Sequence, residues 1–283
     1  MPAAKPATKA PARRGGARNV ISTALIVIGV ILLLVAAGLF IRAQLGYKQA
    51  QDSYKGLEQY AVVDQSAAST AATPDPVPKV DFDALEKINA DVVGWIYVPG
   101  TPINYPVAQT TDNETYLHRL FDQSDNNSGG IFMDMDDAKP GMVDQQTTLY
   151  GHHMNDGTMF KYIDNTLDQA EFDKVGYVYY ITRDTVYVCQ PLFTMQVPDT
   201  YGEARTPTFG DDAALTDYLN KGLAQAHAKA KDADARVAQT KQVLTLVTCA
   251  GEIIPRTTRA GMVCELVDTV PAAEAAAQAS AVS

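Results

Sequence analysis

Read for hydrophobic and polar positions alone, the chain falls into unlike stretches. Asn19 to Ile41 carries no charged residue and is built from Val, Ile, Leu and Ala. This run of roughly 23 residues meets the ~20 needed to cross a bilayer as a helix, and it exceeds the apolar core of a cleaved signal. Residues 43–60 turn polar and extend that helix as a stalk, and 61–79, rich in Ala, Ser, Thr and Pro, read as a linker. From residue 80 the pattern is that of a folded domain. Asp81 is placed as an N-cap before Phe82, Leu85 and Ile88 at helical spacing. Short apolar or alternating runs follow, separated by Gly, Pro and Asn. They are VVGWIYV, INYPVA, GGIFMDM, TTLYGH, VGYVYYI, TVYVCQPLFTMQV, QVLTLVTC and AGMVCELV, and each predicts a strand. The stretch Asp212 to Lys231 breaks the series. Leu215, Leu219 and Leu223 lie four apart, which predicts an amphipathic helix between two strands. The result is a mainly β domain over 80–270, of the kind that closes into a barrel with peripheral helices. The Ala-rich end, 271–283, reads as a disordered tail.

Charge changes this picture at one end. Lys5, Lys9, Arg13, Arg14, Arg18, Arg42 and Lys48 lie in the first 48 residues with no acid among them, while the whole chain is at −10. Five of these cations precede the apolar run. By the positive-inside bias, residues 1–18 form a cytoplasmic tail, 19–41 a membrane anchor, and 42–283 the outer part. An acidic body argues against nucleic acid as a partner, since phosphate binding needs a basic face.

The candidate chemistry rests on few residues. There are three cysteines, Cys189, Cys249 and Cys264, and no CxxC pair, which argues against a zinc or dithiol site. Cys189 and Cys264 lie inside strand patterns, where a thiol packs as a small hydrophobe, or where the two could pair as a disulfide. Cys249 ends the run VLTLVT, where the chain leaves the sheet. Two of the four histidines, His152 and His153, sit in the loop YGHHMNDG after TTLY. A thiol near its usual pKa of about 8.5 needs a base or a cation nearby, and an imidazole supplies both that and the acid for a leaving amine. A tetrahedral oxyanion needs a donor. Arg256 and Arg259 follow the cysteine, and Arg259 begins the last strand, opposite the strand that carries Cys249. No Asp or Asn is visibly placed to orient His152.

These residues carry a resemblance. TLVTC (Thr245 to Cys249) resembles the TLxTC signature of sortases, and the Cys249–Arg259 spacing matches the Cys and Arg of that family. YGHHMNDGTMF (Tyr150 to Phe160), LEKINADVVGWIYVPGTPINYPV (Leu85 to Val107) and GGIFMD (Gly129 to Asp134) are similar to class B sortases. The resemblance spans essentially all of 80–267 together with the N-terminal anchor. It implies an eight-stranded sortase β-barrel with an N-terminal helix and an inserted helix, preceded by one transmembrane helix. It further implies Cys249 as nucleophile, His152 as general acid/base and Arg259 as the holder of the substrate carbonyl and oxyanion. Tyr150 and Thr248 would flank the cleft, Asn113 would contact substrate, and His153 would pack or cap its loop. The implied reaction cleaves the C-terminal sorting signal of a secreted protein through a thioester. The acyl group then passes to an amine of a peptidoglycan precursor or a pilin, with no cofactor or metal. One departure stands out: Ala250 and Gly251 occupy positions after the cysteine where several class B enzymes have an acid. A plain cysteine endopeptidase would use the same residues, and a non-catalytic module that binds sorting signals is the remaining alternative.

Overall fold

In a computed structural model of the chain, the described residues are 16–63, 73–249 and 257–275. The basic tail up to residue 15, the middle of the expected linker, the residues just after Cys249 (Arg256 among them) and the last eight positions of the expected tail lie outside them. The chain divides into two units, Met1–Gly46 and Tyr47–Ser283. Helix α1 (Gly16–Leu57) runs through the boundary. In the first unit its large apolar side chains, from Val20 to Leu45, are all exposed. This helix is long and apolar enough to cross a membrane.

In the second unit, the last turns of α1 contribute Ala50, Tyr54 and Leu57 to the core. The short strands β1 (Ala61–Val62) and β2 (Lys79–Val80) pair antiparallel, and α2 (Phe82–Ile88) follows. Asp81 caps α2 as its position predicts, accepting from the Ala84 amide at 3.0 Å. The remaining strands are β3 (Val92–Tyr97), β4 (Asn104–Ala108), β5 (Ile131–Met133), β6 (Gln146–Tyr150), β7 (Val178–Ile181), β8 (Thr185–Pro198), β9 (Ala226–Lys229), β10 (Val243–Cys249) and β11 (Thr258–Pro271). Two short helices, α3 (Lys161–Asn165) and α4 (Gln169–Phe172), precede β7. The longer α5 (Asp212–Ala224) follows β8, and α6 (Ala233–Val237) precedes β10.

Hydrogen bonding links the strands in the order β11-β10-β6-β5-β4-β3-β7-β8, and a second pairing of β11 with β8 closes the ring. All eight strands of this closed barrel arise from the eight apolar runs. Closure depends on the length of β8. Its first residues pair with β7, and almost its whole length pairs with β11 through two register shifts. Such irregularities increase local twist, which a closing sheet requires. Trp95, Ile96, Val107, Leu149, Tyr180 and Leu246 are among the buried side chains of the main core, on the two faces of the barrel wall.

The helix expected over 212–231 ends at Ala224. Ala226–Lys229 is instead β9, a ninth strand added to the outer edge of β8. The leucine series stops at Leu223, and beyond it only small residues alternate. Ala228 is buried opposite Thr194 while its neighbours are exposed, which is a strand pattern. Leu215, Leu219 and Leu223 pack against Phe193, Val243 and Val263 in a second apolar cluster outside the barrel. Gly222 allows the close approach, since a Cβ there would lie 2.5 Å from the Phe193 ring.

Candidate active site

The arrangement of β10 between two unlike neighbours builds the site. On one side β6 runs parallel, with Val247 opposite Tyr150. On the other side β11 runs antiparallel, with Cys249 opposite Arg259. A parallel neighbour ends where β10 ends, and an antiparallel neighbour begins there. The Gly151 amide donates to the Val247 carbonyl at 3.1 Å, extending the β6–β10 ladder past the strand. The chain then reaches His152 as β10 reaches Cys249. Adjacent strands are about 4.8 Å apart, so three residues far apart in sequence share one end of three adjacent strands.

His152 is half-buried, and its Nε2 lies 2.8 Å from the Leu117 carbonyl. A carbonyl only accepts, so Nε2 carries the proton of the neutral ring and Nδ1 holds the lone pair. The orienting group that no Asp or Asn supplied is thus a backbone oxygen. Gly129, at φ +62°, packs against the same edge of the ring, and a Cβ there would be 2.7 Å from His152 Cδ2. The loop closes on itself through the Phe160 amide, which donates to the His152 carbonyl at 3.0 Å, and through a bridge between His153 and Met159. His153 is buried, with Nδ1 3.5 Å from the Asp164 carboxylate. It holds the loop, as the sequence suggests.

Arg259 is half-buried and donates to its neighbouring Thr258 carbonyl at 3.1 Å. It lines a small pocket with Tyr150, Val247, Tyr201 and Arg205. Thr245 and Val247, alternate residues of β10, face this pocket, whereas Thr248 does not. Thr248 is buried, and its hydroxyl has no hydrogen-bond partner among the described residues. Tyr150 and Asn113 converge on Asp134, a fully buried carboxylate. Asp134 accepts from the Tyr150 hydroxyl at 2.7 Å, the Asn113 amide at 3.1 Å and Arg205 Nε at 3.1 Å. Asn113 also accepts from the Met135 amide at 2.9 Å. Burial first, and the Asp134 charge second, push the Tyr150 phenol up, so it stays protonated. The same carboxylate raises Arg205. Next to it, Asp137 is pushed up to about 7, chiefly by burial and then by Asp134 and Asp144.

Leu117, Gly129, Asp134 and Arg205 are the site residues that the sequence reading does not single out. Asp134 had a signal, an acid closing the apolar run GGIFM. Arg205 had none, being one charge in a long loop. Cys189 and Cys264 are buried free thiols, both raised by burial, and not a disulfide. No cluster of three or more metal-ligating side chains occurs among the described residues.

The chain has relatives among known proteins. A family model described as "Sortase domain" matches residues 96–267. Sortase B of Staphylococcus aureus is 27% identical over 238 residues, which cover 84% of this chain and 93% of that protein. A structure of a Staphylococcus aureus sortase B–substrate complex superposes with a TM-score of 0.63 at 25% identity, covering 79% of this chain and 99% of that one. A sortase B complexed with triglycine gives a TM-score of 0.63 at 26% identity, covering 78% and 98%. The residues matched by the family model include Cys249, His152 and Arg259. The chain belongs to the sortase family, as a cysteine transpeptidase of class B.

Proposed function

We propose that Cys249 is the nucleophile, His152 the general acid and base, and Arg259 the oxyanion donor of this transpeptidase. The register that aligns Cys249 with Arg259 and carries His152 to the same strand end is the observation that supports the assignment. In this reading the Cys249 thiol gives its proton to the His152 Nδ1 lone pair, and the resulting thiolate attacks a backbone carbonyl of a sorting-signal peptide. The C–S bond forms as the carbonyl π pair moves to oxygen, where the Arg259 guanidinium stabilises it. The oxyanion collapses, the C–N bond breaks, and His152 gives its Nδ1 proton to the departing amine. A thioester remains. An acceptor amine, in a peptidoglycan precursor or a pilin, then gives a proton to His152 and attacks the thioester. Collapse breaks the C–S bond and yields the new amide, and the Cys249 thiolate takes the proton back from His152 Nδ1.

The remaining residues support this as a substrate cleft with fixed walls. Tyr150 and Asn113 are tied to Asp134 and present a rigid polar wall to the peptide, and Thr248 backs the nucleophile from inside the barrel. The relative whose structure is a sortase B–substrate complex and the one complexed with triglycine support the two ligand classes, a peptide and an amine. The apolar part of α1, with cations before it, anchors the chain in a membrane and leaves the barrel outside.

The test is mass spectrometry of the full chain in detergent, mixed with a library of sorting-signal peptides. An acyl adduct on Cys249 that disappears when triglycine is added, with an amide product, is the expected result. An adduct cleared equally fast by water, with no amide product, would make the enzyme an endopeptidase. No adduct on Cys249 with any peptide would overturn the assignment.

A further inference from the structure

His152 is held by loops, not by a strand, so something must hold the loops. On one side of its ring the 113–130 loop supplies the Leu117 carbonyl and packs Gly129 against the imidazole. On the other side is its own loop, 151–160. Both are tied to the same short piece of helix. Tyr54 donates its hydroxyl to the Gly129 carbonyl at 2.8 Å and accepts from the Phe121 amide at 3.3 Å. Ser53 donates to Asp122 at 2.9 Å, and Gln49 accepts from Asn126 at 3.3 Å. Gln51 reaches the other loop, donating to Asp156 at 3.0 Å. The Tyr54 ring meets Tyr105 edge to face at 5.3 Å, and the Tyr105 hydroxyl accepts from the Met159 amide at 3.1 Å, inside the histidine loop.

We infer that the last turns of α1 are a positioning element for the catalytic histidine, with Tyr54 as the residue through which they act. The inference rests on His152 as the acid/base. The geometry makes the coupling direct. Gly129 lies close against the ring, since a Cβ built there would stand 2.7 Å from His152 Cδ2 and 2.6 Å from the Tyr116 carbonyl. A shift of the Gly129 peptide is therefore passed to the imidazole, and with it to the Leu117 contact that fixes the tautomer. Tyr54 is buried, and burial pushes its phenol up, so its hydroxyl remains a donor at every working pH. The helix that carries the apolar N-terminal segment thereby becomes part of the catalytic scaffold. The Gln51 and Ser53 contacts are exposed and individually weak, and they serve to hold the register of the clamp.

The experiment uses the full chain in detergent micelles and the variant Tyr54→Phe. This keeps the ring on Tyr105 and removes only the donor to Gly129. The expected result is a kcat lower by about tenfold, within the ~10²-fold that small misplacements cost, with KM nearly unchanged. The limb of the pH–rate profile that belongs to His152 should shift as well, because the tautomer-fixing contact loosens. Glu265→Gln, far from the site in β11, serves as the control for lost stability and should leave kcat and the profile in place. If Tyr54→Phe lowers the melting temperature as the control does but keeps wild-type kcat and profile, its role is structural and the inference fails. Should Tyr54→Phe not fold, the double variant Gln51→Ala/Ser53→Ala carries the test. A kcat lower by about threefold or more supports the clamp, and an unchanged kcat overturns it. His152→Ala separates the two levels. Retained activity there would sink the assignment of the acid/base, whereas a dead His152→Ala beside a fully active Tyr54→Phe would sink only the clamp.

Discussion

The two ends of β10 are built from similar material and are finished in opposite ways. At its start, every polar group is matched. Gln146, fully buried on the neighbouring β6, donates to the Glu203 and Thr206 carbonyls and accepts from Tyr218 and Thr245. Val243 donates to the Gln145 carbonyl, and Gln242 to the Asp144 carbonyl. Glu265, opposite Val243, is bound by Arg236 Nε at 2.5 Å and by the Thr240 hydroxyl at 2.8 Å. At its finish, the strand sets Cys249 opposite Arg259 in the β11 ladder, and the Thr248 hydroxyl is buried with no partner among the described residues. The groups that orient this end come from outside the strand: the Leu117 carbonyl, Gly129 and Asp134. One end uses its polar groups on one another and gains stability. The other keeps them available, and distant loops supply its order.

The sharpest way to break the contrast is to interchange the expectations for the two ends. Cys249→Ala should abolish transpeptidation while leaving the thermal midpoint close to wild type. Cys264→Ala should do the reverse, retaining activity per folded molecule and losing about 1 kcal/mol, as small core truncations do. Gel-shift assays of acceptor ligation, paired with thermal melts, separate these outcomes. A folded but inactive Cys264→Ala would mean that the nucleophile has been misassigned.

Arg259→Ala comes next. Removing an oxyanion donor typically costs about 10²–10³ in kcat. Arg259→Lys should recover little, since a single ammonium lacks the planar fork. Arg256→Ala should cost much less, because Arg259 is the arginine that stands opposite Cys249 among the described residues of the ladder. Steady-state kinetics that rank Arg256 above Arg259 would refute the register argument. At the other end, Glu265→Gln should leave kcat alone and lower stability by about 2 kcal/mol, because Arg236, nearly buried, loses the nearer and more buried of its two counter-charges and keeps only the exposed Asp232. Denaturant titration measures that loss, and a change in kcat would show that the ends are coupled.

How much of this was legible beforehand depends on which groups do the work. Strands with apolar alternation, and a Cys, a His and an Arg within recognisable motifs, are visible in the letters. The end of α5 was misplaced because HAKA reads as helix by propensity, and only the edge of β8 makes it a strand. A backbone carbonyl such as Leu117 has no letter at all, so the orientation of His152 could not be read. The clamp residues had a signal that composition hid. Residues 43–60 look polar on average, yet Tyr47, Ala50, Tyr54 and Leu57 fall at helical spacing and mark one buried face.

An effect seen in stability alone, and only as pH rises, tests whether the acidic cluster near the finishing end is a liability or a support. Asp137 is buried, and its Oδ2 accepts from the Thr148 amide at 2.7 Å. Burial, with Asp134, Asp144 and Asp136 around it, raises its pKa from the usual 3.8 to about 7, while Lys139 reaches past it to the Gln109 carbonyl. A carboxyl with a raised folded pKa binds its proton more tightly when folded than when unfolded. Its contribution to stability is therefore complete below pH ~4, declines as pH rises through ~7, and is lost above that. Asp137→Asn keeps an acceptor for Thr148 and cannot ionise. Relative to wild type, the variant should gain nothing at pH 4 and progressively more up to pH 8, by on the order of 1–2 kcal/mol. Urea titrations at intervals from pH 4 to pH 8 read the difference directly. Parallel curves for the two proteins would show that Asp137 ionises normally, and that the finishing end tolerates its charge as easily as the starting end tolerates Glu265.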